Sequence, residues 1–149
     1  MERPTQQVEF ETMLLGRHSH LSPRGKREGG LDRSAYILLS RLGVEGPMTI
    51  GQLSEAFGLD TSTLNRQTAA MTRAGLVERI PDEGGGIARK FRVTDQGGRA
   101  LERERAEIVA GLETVLDDWS EEDVAAFAGY LQRFNGSIER ISGRPWPRP

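Results

Sequence analysis

The stretch from Thr49 to Gly75 limits the possible folds of this chain more than any other. Thr49-Ile50-Gly51-Gln52 fits a capping box, in which Thr49 and Gln52 satisfy orphan amides at a helix start. Ile50, Leu53, Ala56 and Phe57 then fall on one face of a short helix, and Gly58 stands where a helix end takes a left-handed residue. Leu59 is apolar, and Asp60 is placed to cap a second helix, Thr61 to Ala74, stopped by Gly75. Two helices joined by a turn of about four residues make a helix-turn-helix.

The flanks extend that reading. Leu76-Val77-Glu78-Arg79-Ile80 and Lys90-Phe91-Arg92-Val93 alternate apolar and polar, as strands do, and Pro81 to Ala88 makes a glycine-rich hairpin loop between them. A hairpin directly after a helix-turn-helix is a winged helix. Upstream, Asp32 is placed to cap a helix carrying Ala35, Tyr36, Leu38, Leu39 and Leu42, ended by Gly43 to Pro47. Residues 22–30 read as a loop, and residues 5–15 as a weakly periodic helix with Val8, Phe10, Met13 and Leu14. Downstream, a helix over about 95–118 spaces Leu101, Ile108, Leu112, Val115 and Trp119 by sevens, fours and threes. Ser120 opens another, with Glu121, Glu122 and Asp123 complementing its dipole. Val124, Phe127, Leu131, Phe134, Ile138 and Ile141 form an a/d seam along it. Such a stripe needs covering, by the other terminal helices and by a second copy.

The expected fold class is therefore mainly α (α+β): a winged helix-turn-helix with N- and C-terminal helices forming a dimerisation domain. Residues 1–149 make one subunit, with dimerisation helices at 5–20 and 95–141. The winged helix occupies 31–94, and a proline-rich tail 142–149.

Net charge points the other way at first. Among 149 residues, 20 Lys+Arg oppose 22 Asp+Glu, a balance of -2 that gives no hint of a nucleic-acid partner. Its distribution does. Residues 61–92 hold Arg66, Arg73, Arg79, Arg89, Lys90 and Arg92 against Glu78, Asp82 and Glu83, while the surplus acid lies in residues 93–149. A chain without cysteine has no disulfide framework, thiolate zinc finger or thiol switch. The first residues do not form a secretory signal and no apolar run approaches the roughly 20 residues of a membrane span, so a cytoplasmic protein with no membrane partner is expected.

Each candidate for chemistry has a bland counterpart. In the second helix of the motif Leu64 and Met71 face inward, and Ser62, Thr63, Asn65, Arg66, Ala69, Ala70 and Arg73 fall mainly on the other side. No acid occurs between residues 61 and 77, whereas an ordinary solvated face mixes Glu with Lys. Short hydroxyls near the helix start suit phosphates, and Asn and Arg suit base edges in a major groove. Gly84-Gly85-Gly86 lies between two strands, not between a strand and a helix, so it reads as a wing tip and not a phosphate cradle. Arg89, Lys90 and Arg92 on the return strand suit a sugar-phosphate backbone. His18 and His20, the only histidines, are two apart and share no helix face, which favours surface positions over a metal site. Asp117-Asp118 and Glu121-Glu122-Asp123 imitate a catalytic carboxylate pair but read better as capping and solubilising residues. No enzyme, cofactor or metal is expected. The tail Gly143-Arg144-Pro145-Trp146-Pro147-Arg148-Pro149 suggests polyproline II, either disordered or anchored through Trp146 on its own subunit or a partner.

Met48 to Arg66, Ala74-Gly75-Leu76-Val77-Glu78-Arg79 and Arg92-Val93-Thr94-Asp95-Gln96-Gly97 together resemble the MarR family of bacterial transcription regulators. They match its helix-turn-helix, its "GLVER" strand and its "LT-x-x-G" opening of the next helix. The likeness is specific over about residues 31–100 and consistent in layout over 5–141. It implies an obligate homodimer with interlocked terminal helices, each recognition helix entering a major groove of a pseudo-palindromic DNA site and each wing reaching a minor groove. Ser62, Thr63, Asn65 and Arg66 match the family's recognition positions, and Gln67, Arg73, Arg89 and Lys90 complete the candidate DNA contacts. Val124, Phe127, Leu131, Phe134 and Ile138 are the implied dimer interface.

Many members of the family release DNA when a small ligand binds between the dimer helices and the winged domain. By that layout Arg17, His18 and Tyr36 border the effector pocket. One departure concerns the wing. The family's Asp-x-Arg element is replaced by Pro81-Asp82-Glu83 and three glycines, leaving Arg89 or Lys90 to stand in. Two readings result: a sequence-specific DNA-binding regulator, a repressor or an activator, and a winged-helix protein- or ligand-interaction module that no longer binds DNA.

Overall fold

A computed structural model describes residues 2–18, 30–82, 84 and 89–149. Their elements run α1 (Thr5–Arg17), α2 (Arg33–Glu45), β1 (Met48–Thr49), α3 (Ile50–Phe57), α4 (Thr61–Arg73), β2 (Val77–Pro81), β3 (Arg89–Val93), α5 (Asp95–Val115) and α6 (Glu121–Ser142). The fold is mainly helical with one small antiparallel sheet, as expected of a winged helix-turn-helix.

Helix starts follow local side-chain chemistry. Asp32 accepts the Ala35 N–H at 2.8 Å. Thr49 accepts from Gln52 N–H at 3.1 Å while the Gln52 side chain accepts from Thr49 N–H at 2.9 Å, so the capping box is complete. At the starts of α5 and α6 the Thr94 and Ser120 hydroxyls accept the Gly97 and Asp123 amides, without the reciprocal bond. Caps of this kind contribute about 1 kcal/mol each. Asp60 differs from expectation: its side chain makes no capping bond, and its backbone carbonyl takes the Thr63 and Leu64 amides instead. Helix α2 ends within the expected Gly43 to Pro47 stretch. The helix continues to Glu45 and stops at Gly46, whose φ of 94° needs glycine.

The sheet has the order β1-β3-β2. Strand β1 was not expected from sequence; it is two residues long and pairs Met48 with Phe91. Phe91 also faces Arg79 across the hairpin, so β3 is the central strand. Leu38, Leu39, Leu42, Met48, Leu53, Leu64, Met71, Val77, Phe91 and Leu101 close the core, drawn from α2 to the start of α5. Full burial of each leucine is worth roughly 1.5–3 kcal/mol.

Helix α5 is seated on that core by a backbone contact. The Thr94 hydroxyl donates to the Gly75 carbonyl at 2.6 Å and the Thr94 N–H to the Leu76 carbonyl at 3.1 Å. A Cβ on Gly97 would lie 2.0 Å from the Leu76 oxygen, so only glycine permits the approach. The helix then ends at Val115, short of the expected 118. Asp117 and Asp118 would oppose the negative helix end, and the Trp119 N–H turns back to the Leu116 carbonyl. Trp119 therefore leaves the α5 seam and packs against Phe127 of α6, ring centres 5.5 Å apart.

The terminal helices behave differently. Neither α1 nor α6 contains a buried residue. Among the described residues no helix is long and apolar enough to cross a membrane. The expected loop at 22–30, except Gly30, the position of His20 and most of the wing tip lie outside the described residues.

Candidate nucleic-acid interface

Helix α4 is held by one stripe and presents the rest. Leu64 and Met71 are buried, as their spacing of seven requires, and Thr68 is buried between them. The Thr68 hydroxyl is satisfied by the Leu64 carbonyl at 2.7 Å, which makes a polar residue tolerable there. Leu64, Thr68 and Met71 thus pin the helix to the core. Ser62, Asn65, Arg66, Ala69, Ala70 and Arg73 are exposed, and Thr63 and Gln67 are half-buried at the edge. The Arg66 guanidinium lies 3.5 Å from the Thr63 hydroxyl. No acid stands on this helix.

The hairpin packs against α4 through β2. The cations of α4 and the hairpin divide into two groups. Arg92 pairs with Glu78 directly across the strands at 2.5 Å, and Lys90 sits 3.6 Å from Asp82. Arg79 lies over the Phe91 ring at 5.4 Å. Arg66, Arg73 and Arg89, in contrast, enter no ion pair among the described residues. Of the two candidate wing cations, Arg89 is exposed and uncommitted while Lys90 is partly spent on an acid. The Glu78–Arg92 register was the signal sequence reasoning missed; an eight-residue loop leaves that register open until the strands are paired. The expected wing arginine position near Gly86-Ile87 lies outside the described residues.

The expected dimer residues share one face of α6. Phe127, Leu131, Phe134 and Ile138 are 38% to 49% exposed, and Val124 is half-buried. Opposite them α1 leaves Val8 and Leu15 comparably open. Between the two helices lies a cleft of about 870 Å³, apolar along Val8, Leu15, Phe127, Leu131 and Phe134 and edged by Arg3, Glu11 and Arg133. Arg17 and His18 stand at the end of α1 and Tyr36 in the first turn of α2, packed against the core. None of the three lines the α1–α6 cleft.

Comparison with known proteins agrees with this architecture. The sequence model of the MarR family matches residues 29–86. The chain is 35% identical over 135 residues to the uncharacterized HTH-type transcriptional regulator YxaD of Bacillus subtilis, covering 90% of this chain and 94% of that one. A MarR family protein from Bacillus stearothermophilus superposes with a TM-score of 0.72 at 26% identity, covering 93% of this chain and 99% of that one. The PcaV transcriptional regulator from Streptomyces coelicolor, in complex with its natural ligand, shares the fold with a TM-score of 0.66 at 23% identity over 93% of this chain and 98% of its own. A helix-turn-helix followed by a paired hairpin, an acid-free outward helix and this relationship to YxaD have one common explanation: the chain belongs to the MarR family of winged helix-turn-helix, DNA-binding transcriptional regulators.

Proposed function

We propose that the protein is a homodimeric repressor of a pseudo-palindromic operator, with one α4 in the major groove of each half-site. The observation that carries the reading is the outward face of α4, which bears Arg66 and Arg73, neither in an ion pair among the described residues, and no acid. Ser62 and Thr63 in the first turn suit phosphate oxygens; Asn65 and Arg66 suit adenine and guanine edges, with Gln67 and Arg73 flanking. Arg89, and Lys90 released from Asp82, would follow the backbone beside the groove. The open α6 seam of Val124, Phe127, Leu131, Phe134 and Ile138 supports a second copy as its cover, because monomers rarely leave such a stripe in water.

PcaV was solved with a natural ligand. By analogy a small-molecule effector releases this protein from DNA, with Arg17, His18 and Tyr36 as its proposed contacts. The DNA reading is tested by titrating the duplex upstream of its own gene at rising salt. The expected result is preference over random duplex and a steep fall of log K with log salt, with a slope of about -0.9 per phosphate neutralised. A flat response without preference would select the second reading, an interaction module without DNA binding. That reading is favoured by the glycine-rich wing sequence and by the pairing of Arg92 and Lys90 with Glu78 and Asp82.

A further inference from the structure

The C-terminal tail does not trail away from α6. Gly143, at φ 70°, reverses the chain, and the seven residues that close the sequence return to the helix-turn-helix. The Arg144 Nε donates to the Glu55 carbonyl at 3.2 Å, and its guanidinium packs so closely on Gly58 that a Cβ there would lie 3.0 Å away. Gly58 is the left-handed residue of the turn between α3 and the recognition helix. The Trp146 ring stacks on Phe57 at 5.5 Å and 9°, and the Arg41 guanidinium lies 4.8 Å over its centre.

Arg41 is an unusual partner. Its residue is 6% exposed, its Nε is taken by Glu45, and its Nη1 has no hydrogen-bond acceptor among the described residues. The indole face therefore supplies part of what burial has removed from that cation. Glu139 of α6 ties the other end, accepting the Trp146 N–H at 2.6 Å and both Arg148 terminal nitrogens at 2.6 and 2.7 Å. Pro145 and Pro147 flank Trp146 and restrict the free chain, lowering the entropy lost on docking.

We propose that residues 143–149 are a clasp that fixes the helix-turn-helix to the C-terminal end of α6, with Trp146 as its positioning residue. The proposal rests on the dimeric DNA-binding reading. Because α6 carries the dimer seam and the clasp grips the turn that leads into α4, the clasp sets the separation of the two recognition helices. Binding to both half-sites then depends on that separation, whereas binding to one does not.

The test compares the full chain with a chain ending at Gly143 and with Trp146→Ala and Trp146→Phe. Each is titrated with a single half-site, the full operator, and operators with one or two base pairs added to the spacer. The clasp predicts unchanged half-site binding and about a tenfold loss on the full operator for the shortened chain and Trp146→Ala. It also predicts a weaker penalty for wrong spacing in those two than in the full chain, and recovery in Trp146→Phe, which keeps the stack on Phe57. Equal affinity and equal spacing discrimination in all chains would overturn the clasp. So would loss of the folded winged helix in Trp146→Ala, seen by circular dichroism, since that would make the tail part of the core. Should only the shortened chain unfold, the Ala and Phe variants decide the matter. A full chain without preference for its operator would instead refute the DNA reading itself.

Discussion

The block from α2 to the start of α5 and the pair α1 and α6 are built from the same apolar residues, yet they end in opposite states. In the first, Leu38, Leu39, Leu53 and Leu64 are fully buried. In the second, Phe127, Leu131, Phe134 and Ile138 remain two-fifths to one-half open and Ile141 is 88% exposed. The difference lies in the number of surfaces meeting. Four helices and three strands converge on the winged-helix core, whereas α1 and α6 enclose only a shared cleft. A heptad seam states that a helix needs a neighbour. It does not say whether the neighbour belongs to the same chain.

The largest expected effect would break the comparison at the open end. Leu131→Glu combined with Phe134→Glu places two charges on the seam, where burial without partners costs several kcal/mol per ion. Sedimentation should then show a monomer, while the winged-helix signal in circular dichroism persists. A dimer that survives both charges would mean that α6 is not the interface. At the closed end, Leu53→Ala should cost about 2–5 kcal/mol in urea unfolding, because a fully buried leucine leaves a cavity with little freedom to collapse. A loss below about 1 kcal/mol would show this core to be looser than its burial suggests.

A third substitution probes a surface that belongs to neither class. Arg66→Ala on α4 should weaken operator binding by about 1–3 kcal/mol and leave urea unfolding unchanged. Unaltered affinity would place a different face of α4 in the groove. This was the most legible part of the molecule, because helix phase, the Thr49–Gln52 box and Gly58 all act within a few residues of one another. Thr68 joining the buried stripe between Leu64 and Met71 follows from the same phase. Features that depend on distant partners were not legible. β1 exists only because Phe91 arrives beside Met48, and the neutralised Arg92 only because Glu78 lands opposite it. Trp119 fits the α5 spacing on paper, but the helix stops at Val115 and hands that ring to Phe127. Trp146 meets Arg41 and Phe57 from the far end of the sequence, a meeting that no local pattern encodes.

The smallest expected effect sharpens the contrast where the two regions are joined. Glu139 carries the tail on α6, and its carboxyl is held down to about 2 from 4.5, chiefly by the Arg148 guanidinium and then by the Trp146 N–H. A depressed carboxylate stabilises the docked tail above the ordinary value, and that contribution is lost as pH falls through the depressed one. In a Trp119→Phe chain the remaining tryptophan, Trp146, reports docking directly. Its fluorescence should stay constant from pH 7 to about 4.5 and change only as pH approaches 2. With Arg148→Ala the change should begin within the ordinary carboxylate range, because the largest cause of the depression is gone. An identical pH profile in both chains would mean that Arg148 does not hold Glu139, and that the tail is docked through Trp146 and Arg144 alone.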